Sequence, residues 1–110
     1  MGKNYLGEFE ELVLTMTAIL REGAYGNSIV NEIQRQLSRK TNLSAVHVTL
    51  YRLEDKGLVR SSMGGATAQR GGRRKRLFSI TNTGLAVLEE LKAQRNKLWS
   101  LVPQLNIAER

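Results

Sequence analysis

Apolar side chains recur at spacings of three and four along three early stretches of the chain, which predicts three successive amphipathic helices. In the first, Gly7 to Arg21, the stripe is Phe9, Leu12, Val13, Met16, Thr17 and Leu20. Leu14, Ala18 and Ile19 widen it, so this helix is expected to be covered on more than one side. Glu8, Glu10 and Glu11 crowd its first turn, where the positive end of the helix dipole favours carboxylates. Gly23 ends it. The second stretch opens after Tyr25-Gly26 and carries Ile29, Ile33 and Leu37, with Val30 flanking. Asn27, Glu32, Gln34, Arg35 and Gln36 fall on its wet side, and it stops near Ser38. The third takes Asn42 as N-cap, Val46, Leu50 and Leu53 as core stripe, and Gly57 as stop.

The period then changes. Leu58 to Gly64 is short, β-branched and polar, and reads as a strand, and Arg76 to Ile80 reads as its return. Between them, Gly64 to Gly72 holds four glycines in nine residues and predicts a loop. Thr81 caps a last helix running to about Val102, before Pro103. The order predicts a mainly α fold with a small β-hairpin: a winged helix-turn-helix over residues 1–82, then a long C-terminal dimerisation helix and tail over 83–110. At 110 residues the chain has room for one core, so the two parts form one structural unit.

Charge sharpens this picture. Seventeen Lys and Arg against ten Asp and Glu leave a formal charge of +7. Between Lys56 and Leu88 there are seven cations and no acid, so the whole excess sits in that window. Arg70, Arg73, Arg74, Lys75 and Arg76 are packed into seven residues at the tip and neck of the hairpin. With no acidic neighbour in sequence, that segment is expected to meet a polyanion, double-stranded DNA first. Arginine's planar fork suits phosphate and is drawn into a narrow minor groove. A solvated charged loop is the plainer alternative.

In a helix-turn-helix the second helix of the motif enters the major groove by its N-terminal half. Turning Val46, Leu50 and Leu53 inward leaves Ser44, Val48, Tyr51 and Asp55 pointing out, flanked by Ala45, His47 and Arg52. Ser44, Ala45, His47 and Val48 are small or neutral enough for close approach to base edges. Tyr51 and Arg52 reach toward phosphates, and Lys40, with Arg39, adds charge just before the helix. Glu54 and Asp55 would be repelled. An ordinary polar helix face is the competing reading, and for His47 a partly packed imidazole.

On the last helix, Leu85, Leu88, Leu91, Leu98, Trp99 and Val102 share one broad side. Gly84, Leu88, Leu91, Arg95, Leu98 and Val102 approximate a four-three alternation, which suits a homodimer seam. Packing against the first helix is the alternative. Other classes are excluded more simply. No apolar run is long enough for a membrane span, and no signal peptide opens the chain, so a cytoplasmic, membrane-free protein is expected. No cysteine and one histidine, His47, leave no metal cluster. No catalytic triad or phosphate-loop ending is present, so neither an enzyme nor a cofactor is expected.

Several segments together resemble the PadR family of transcriptional regulators, the phenolic-acid-decarboxylase repressor type, in its short form. They are Leu6-Gly-Glu-Phe-Glu, Ala24-Tyr-Gly, Leu50-Tyr-Arg-Leu-Glu-Asp-Lys-Gly-Leu-Val, Arg70-Gly-Gly-Arg-Arg-Lys-Arg and Phe78-Ser-Ile-Thr-Asn-Thr-Gly84. The resemblance runs from Leu6 to about Trp99. It implies a dimeric winged-helix repressor, with the final helix as the dimer element. It also implies a small aromatic or cationic effector, for which Trp99 is the candidate contact; plain dimer core is the alternative for that residue. His47 stands where the family usually has Tyr, and Asn82 where Pro is frequent. The expected function is sequence-specific repression from a pseudo-palindromic operator. A winged-helix protein-interaction module and a non-specific architectural DNA-binding protein are the alternatives.

Overall fold

The first helix, α1 (Glu8–Leu20), buries Val13, Leu14, Met16 and Thr17. Burial of the adjacent Val13 and Leu14 fits a helix covered on two sides, and α1 packs against helices on either flank and against the sheet. The Thr17 hydroxyl is tolerated there because it donates to the Val13 carbonyl, 2.9 Å away. These contacts come from a computed structural model that describes residues 6–64 and 75–103. A single 3₁₀ turn, Arg21–Gly23, closes α1.

Helix α2 (Gly26–Leu37) starts where the Tyr25 amide donates to Ser28 Oγ at 2.8 Å, and it ends at Ser38 in the left-handed region. Of its expected apolar face, Ile29 and Ile33 are fully buried, whereas Leu37, in the last turn, is exposed. Glu32, placed on the wet side by periodicity, is only 9% exposed. Its carboxylate accepts from Gln36 Nε2 at 2.7 Å and Arg35 Nη2 at 3.0 Å. Those donors, one turn along the same helix, replace the water it loses.

In α3 (Leu43–Asp55), Asn42 is the N-cap: its Oδ1 accepts from the Ala45 amide at 3.1 Å. Val46, Leu50 and Leu53 are fully buried, and Thr49 joins them. Gly57, at φ +77°, turns the chain into the hairpin, a conformation glycine adopts without a Cβ penalty.

Strands β1 (Val59–Met63) and β2 (Arg76–Ile80) pair antiparallel, with Val59 opposite Ile80 and Met63 opposite Arg76. The register puts Ser61, Met63, Arg76 and Phe78 on one face. Phe78 is buried, so that face looks toward the helices. A short bridge extends the sheet, since the Phe78 amide donates to the Ala24 carbonyl at 2.8 Å.

Helix α4 (Asn82–Ser100) is rooted in the turn after α3. Thr81 Oγ1 accepts from the Gly84 amide at 2.9 Å and donates to the Gly57 carbonyl at 2.8 Å. The Thr81 amide donates to the Leu58 carbonyl at 3.0 Å. Gly84 is buried, and a Cβ there would overlap the Leu58 carbonyl oxygen. The four-three alternation is therefore wrong at its first member, because Gly84 lies in the chain's own core. Leu88 and Leu91, placed in the homodimer seam by the sequence, also pack against that core. Among the described residues no helix is long and apolar enough to cross a membrane.

Candidate nucleic-acid interface

With Val46, Leu50 and Leu53 turned inward, Ser44, Ala45, Val48, Tyr51 and Arg52 lie exposed along the opposite side of α3. Val48 is 50% and Tyr51 48% exposed, more than core packing would leave. His47 is half-buried. Its imidazole lies against Gly26 at the start of α2, where any side chain would overlap Nε2 and Leu43 Cδ1. The absent side chain at Gly26 thus leaves room for the His47 imidazole and the end of Leu43.

The hairpin joins this face through side chains. The Tyr51 ring sits 6.3 Å from Phe78 and 6.4 Å from His47, centroid to centroid. Lys75 Nζ stands 4.3 Å over the Tyr25 ring, a cation–π contact, while the Gly64 amide donates to the Lys75 carbonyl at 2.6 Å. Glu54 does not stand as a bare repulsive charge: Ser61 Oγ donates to its Oε2 at 2.6 Å, and Arg76 Nη1 donates to the same hydroxyl at 2.9 Å. Where α2, α3 and the hairpin neck meet there is a cleft of about 210 Å³, lined by Tyr25, Gly26, Asn27, Leu43, His47, Tyr51, Lys75 and Arg76.

Charge partners change part of the expected picture. Arg39 is committed to α1, its two terminal nitrogens donating to Glu8 at 2.8 and 3.2 Å, with the guanidinium 5.6 Å over Phe9. Hydrogen bonding between them lowers the Glu8 pKa and raises that of Arg39. Lys56 Nζ lies 3.2 Å from Glu10. The basic window holds no acid of its own; for Lys56 the fold supplies one from α1, while Arg76 is joined to Glu54 of α3 only through the Ser61 hydroxyl. Lys40, Lys75 and Arg76 are exposed. Arg70, Arg73 and Arg74 lie outside the described residues.

On α4, Leu98 is 65% and Trp99 73% exposed, Leu85 is exposed too, and so is Val102, which lies just past the helix end at Ser100 rather than within it. Leu88 and Leu91 are half-buried. Arg95 faces back to α1, its Nη1 and Nη2 donating to Glu11 at 2.8 and 2.9 Å. A cleft of about 300 Å³ runs past Leu91, Gln94, Arg95, Leu98, Trp99 and Val102. No group of three His, Cys, Asp or Glu side chains that could hold a metal ion occurs among the described residues.

Neither Tyr25 nor Ser61 carries a role on this surface in the sequence alone, and Glu54 figures there only as a charge that phosphate would repel. The Ala24-Tyr-Gly segment marked Tyr25 without a role. Ser61 gave no signal beyond strand alternation.

The profile of the transcriptional regulator PadR-like family matches residues 16–90. A PadR-like transcription factor from Bacteroides fragilis superposes with a TM-score of 0.72 at 18% identity, covering 84% of each chain. A PadR family regulator from Clostridium difficile R20291 gives 0.70 at 23% identity, over 86% of this chain and 94% of that one. One from Eggerthella lenta DSM 2243 gives 0.67 at 26% identity, over 84% and 80%. No curated protein sequence matches. The three α-helices, hairpin and long final helix, with the family profile spanning most of them, place this chain in the PadR-like family of transcriptional regulators, which act through DNA rather than as enzymes.

Proposed function

We propose that the protein is a cytoplasmic homodimeric repressor that reads a pseudo-palindromic operator and is released by a small aromatic or cationic effector. One observation supports this reading above the rest. The outer face of α3 presents Ser44, Ala45, Val48, Tyr51 and Arg52 together, beside a hairpin neck bearing Lys75 and Arg76. Ser44 and Val48 suit base edges and thymine methyls, and His47 borders them. Tyr51, Arg52 and Lys40 suit the flanking phosphates, as do Lys75, Arg76 and the wing residues Arg70, Arg73 and Arg74.

The second subunit covers the exposed side of α4, where Leu85, Leu98 and Trp99 stand out, with Val102 just past its end, and Leu88 and Leu91 are partly free. Arg95 flanks this seam from its pairing with Glu11. Trp99 stacks against the effector beside the cleft. Two subunits then set their α3 helices about 34 Å apart, one turn of DNA.

Footprinting on DNA upstream of the protein's own coding region tests the reading, with a roughly palindromic protected site as the expected result. Protection that ignores sequence would favour an architectural role. No protection, with binding to an acidic protein instead, would favour an interaction module. If about four cations per protomer neutralise phosphates, log K falls against log salt with a slope near −3.6 per protomer. Sedimentation of Trp99→Ala checks the seam: a shift from dimer toward monomer is expected.

A further inference from the structure

Among winged-helix features the neck of the hairpin is held by two side-chain anchors, and one of them runs through an acidic residue on the face proposed to meet DNA. Glu54 follows Tyr51 by one helical turn of α3, and both turn toward the hairpin: Tyr51 meets Phe78, and Glu54 meets Ser61. On the hairpin, Ser61 and Phe78 are directly paired, and Arg76 lies on the same face two residues from Phe78. Pleating alone therefore turns Arg76 toward α3 instead of away from it. The Ser61 hydroxyl has one proton and two lone pairs. It gives its proton to Glu54 at 2.6 Å and accepts from Arg76 Nη1 at 2.9 Å, so both its donor and an acceptor site are used in one direction.

We infer that Glu54 is a positioning residue for DNA binding, which acts through Ser61 to aim Arg76 at the neck of the hairpin. This rests on the proposed DNA interface. A carboxylate on that face repels phosphate when it stands alone. Tied to Ser61, it instead orients a hydroxyl that accepts from one of the five N–H donors of the Arg76 guanidinium. The chain of hydrogen bonds fixes the hairpin neck relative to α3, so that groove reading by α3 and phosphate contact by Arg76 occur in one register. Arg76 arrives with its side chain ordered, and the entropy of ordering it is lost on folding rather than on binding.

The experiment is a double-mutant cycle on the full chain, with a duplex selected by the wild-type protein from a random-sequence pool. Affinity is measured for Arg76→Ala, Ser61→Ala, Glu54→Ala, Glu54→Gln and the doubles with Arg76→Ala. Ser61→Ala and Glu54→Ala are expected to weaken binding about tenfold alone, and by less than about twofold when Arg76 is already alanine. Glu54→Gln keeps an acceptor for Ser61 and is expected to retain most of the affinity. Unfolding midpoints of the same variants identify any that fail to fold, and the Glu54→Gln comparison then carries the test. Additive losses would overturn the inference, as would tighter binding by Glu54→Ala, the mark of a merely repulsive charge. Failure of the pool to enrich, or unchanged affinity in Arg76→Ala, would instead overturn the DNA interface itself.

Discussion

Gly84 and Gly26 are both buried glycines at helix starts, yet they do different work. At Gly84 a methyl group meets the Leu58 carbonyl, which belongs to the backbone and cannot turn away. At Gly26 it meets the far ends of the His47 and Leu43 side chains, which can. Gly84→Ala is therefore expected to cost about 1–3 kcal/mol, the usual penalty of overpacking. Gly26→Ala should cost under about 1 kcal/mol, because displaced side chains relax where backbone cannot. Urea unfolding of the two variants checks the contrast. The sequence offered no hint of it. Gly84 fitted a seam pattern by counting, and only the docking of the α4 start on Leu58 reveals its place.

At the level of elements, α3 depends on its first turn for both stability and reading. Asn42 is legible as a cap from the residue type and its position before the apolar stripe, and its Oδ1 accepts from Ala45 as expected. Asn42→Ala removes that acceptor and should cost about 1 kcal/mol of stability. Fraying would begin beside Ser44 and Ala45, so DNA affinity should fall further than stability does; equal effects on both would separate capping from recognition. The hairpin was legible as well, since its strands lie where β-branched residues and glycines changed the period. Burial of Glu32 was not. Periodicity assigns a face from one helix alone, whereas Arg35 and Gln36 satisfy that carboxylate from the next turn.

For the molecule as a whole, the ties that matter most connect residues far apart in sequence, and local pattern cannot report them. Glu8, Glu10 and Glu11 read as dipole-favoured charges, and the fold gives each a cation from another element: Arg39, Lys56 and Arg95. All three carboxyls are held below their ordinary value of 4.5. For Glu11 the cause is chiefly the hydrogen bond from Arg95, and for Glu8 that from Arg39. For Glu10, burial pulls upward and is outweighed by the Gly7 amide and Lys56. A depressed folded value stabilises the fold above the unfolded pKa and is lost as pH falls through the folded one. Thermal midpoints should therefore hold steady down to about pH 5 and decline below about 4.5, with a shallower decline in Glu11→Gln. An unchanged acid profile in that variant would show that the Arg95 tie contributes nothing.

The root of α4 has a mechanical consequence. Thr81 and Gly84 clamp the helix to Gly57 and Leu58, directly behind the end of α3, while Trp99 stands fifteen residues farther along. At 1.5 Å per residue that is a lever arm of about 22 Å. A displacement of about 1 Å at Trp99 needs a rotation of only roughly 2–3° about the clamp. The Glu11–Arg95 pair braces the arm about three-quarters of the way out. Whatever grips the free end of α4 thus exerts torque at the base of α3, and the brace sets how stiffly that torque is passed on.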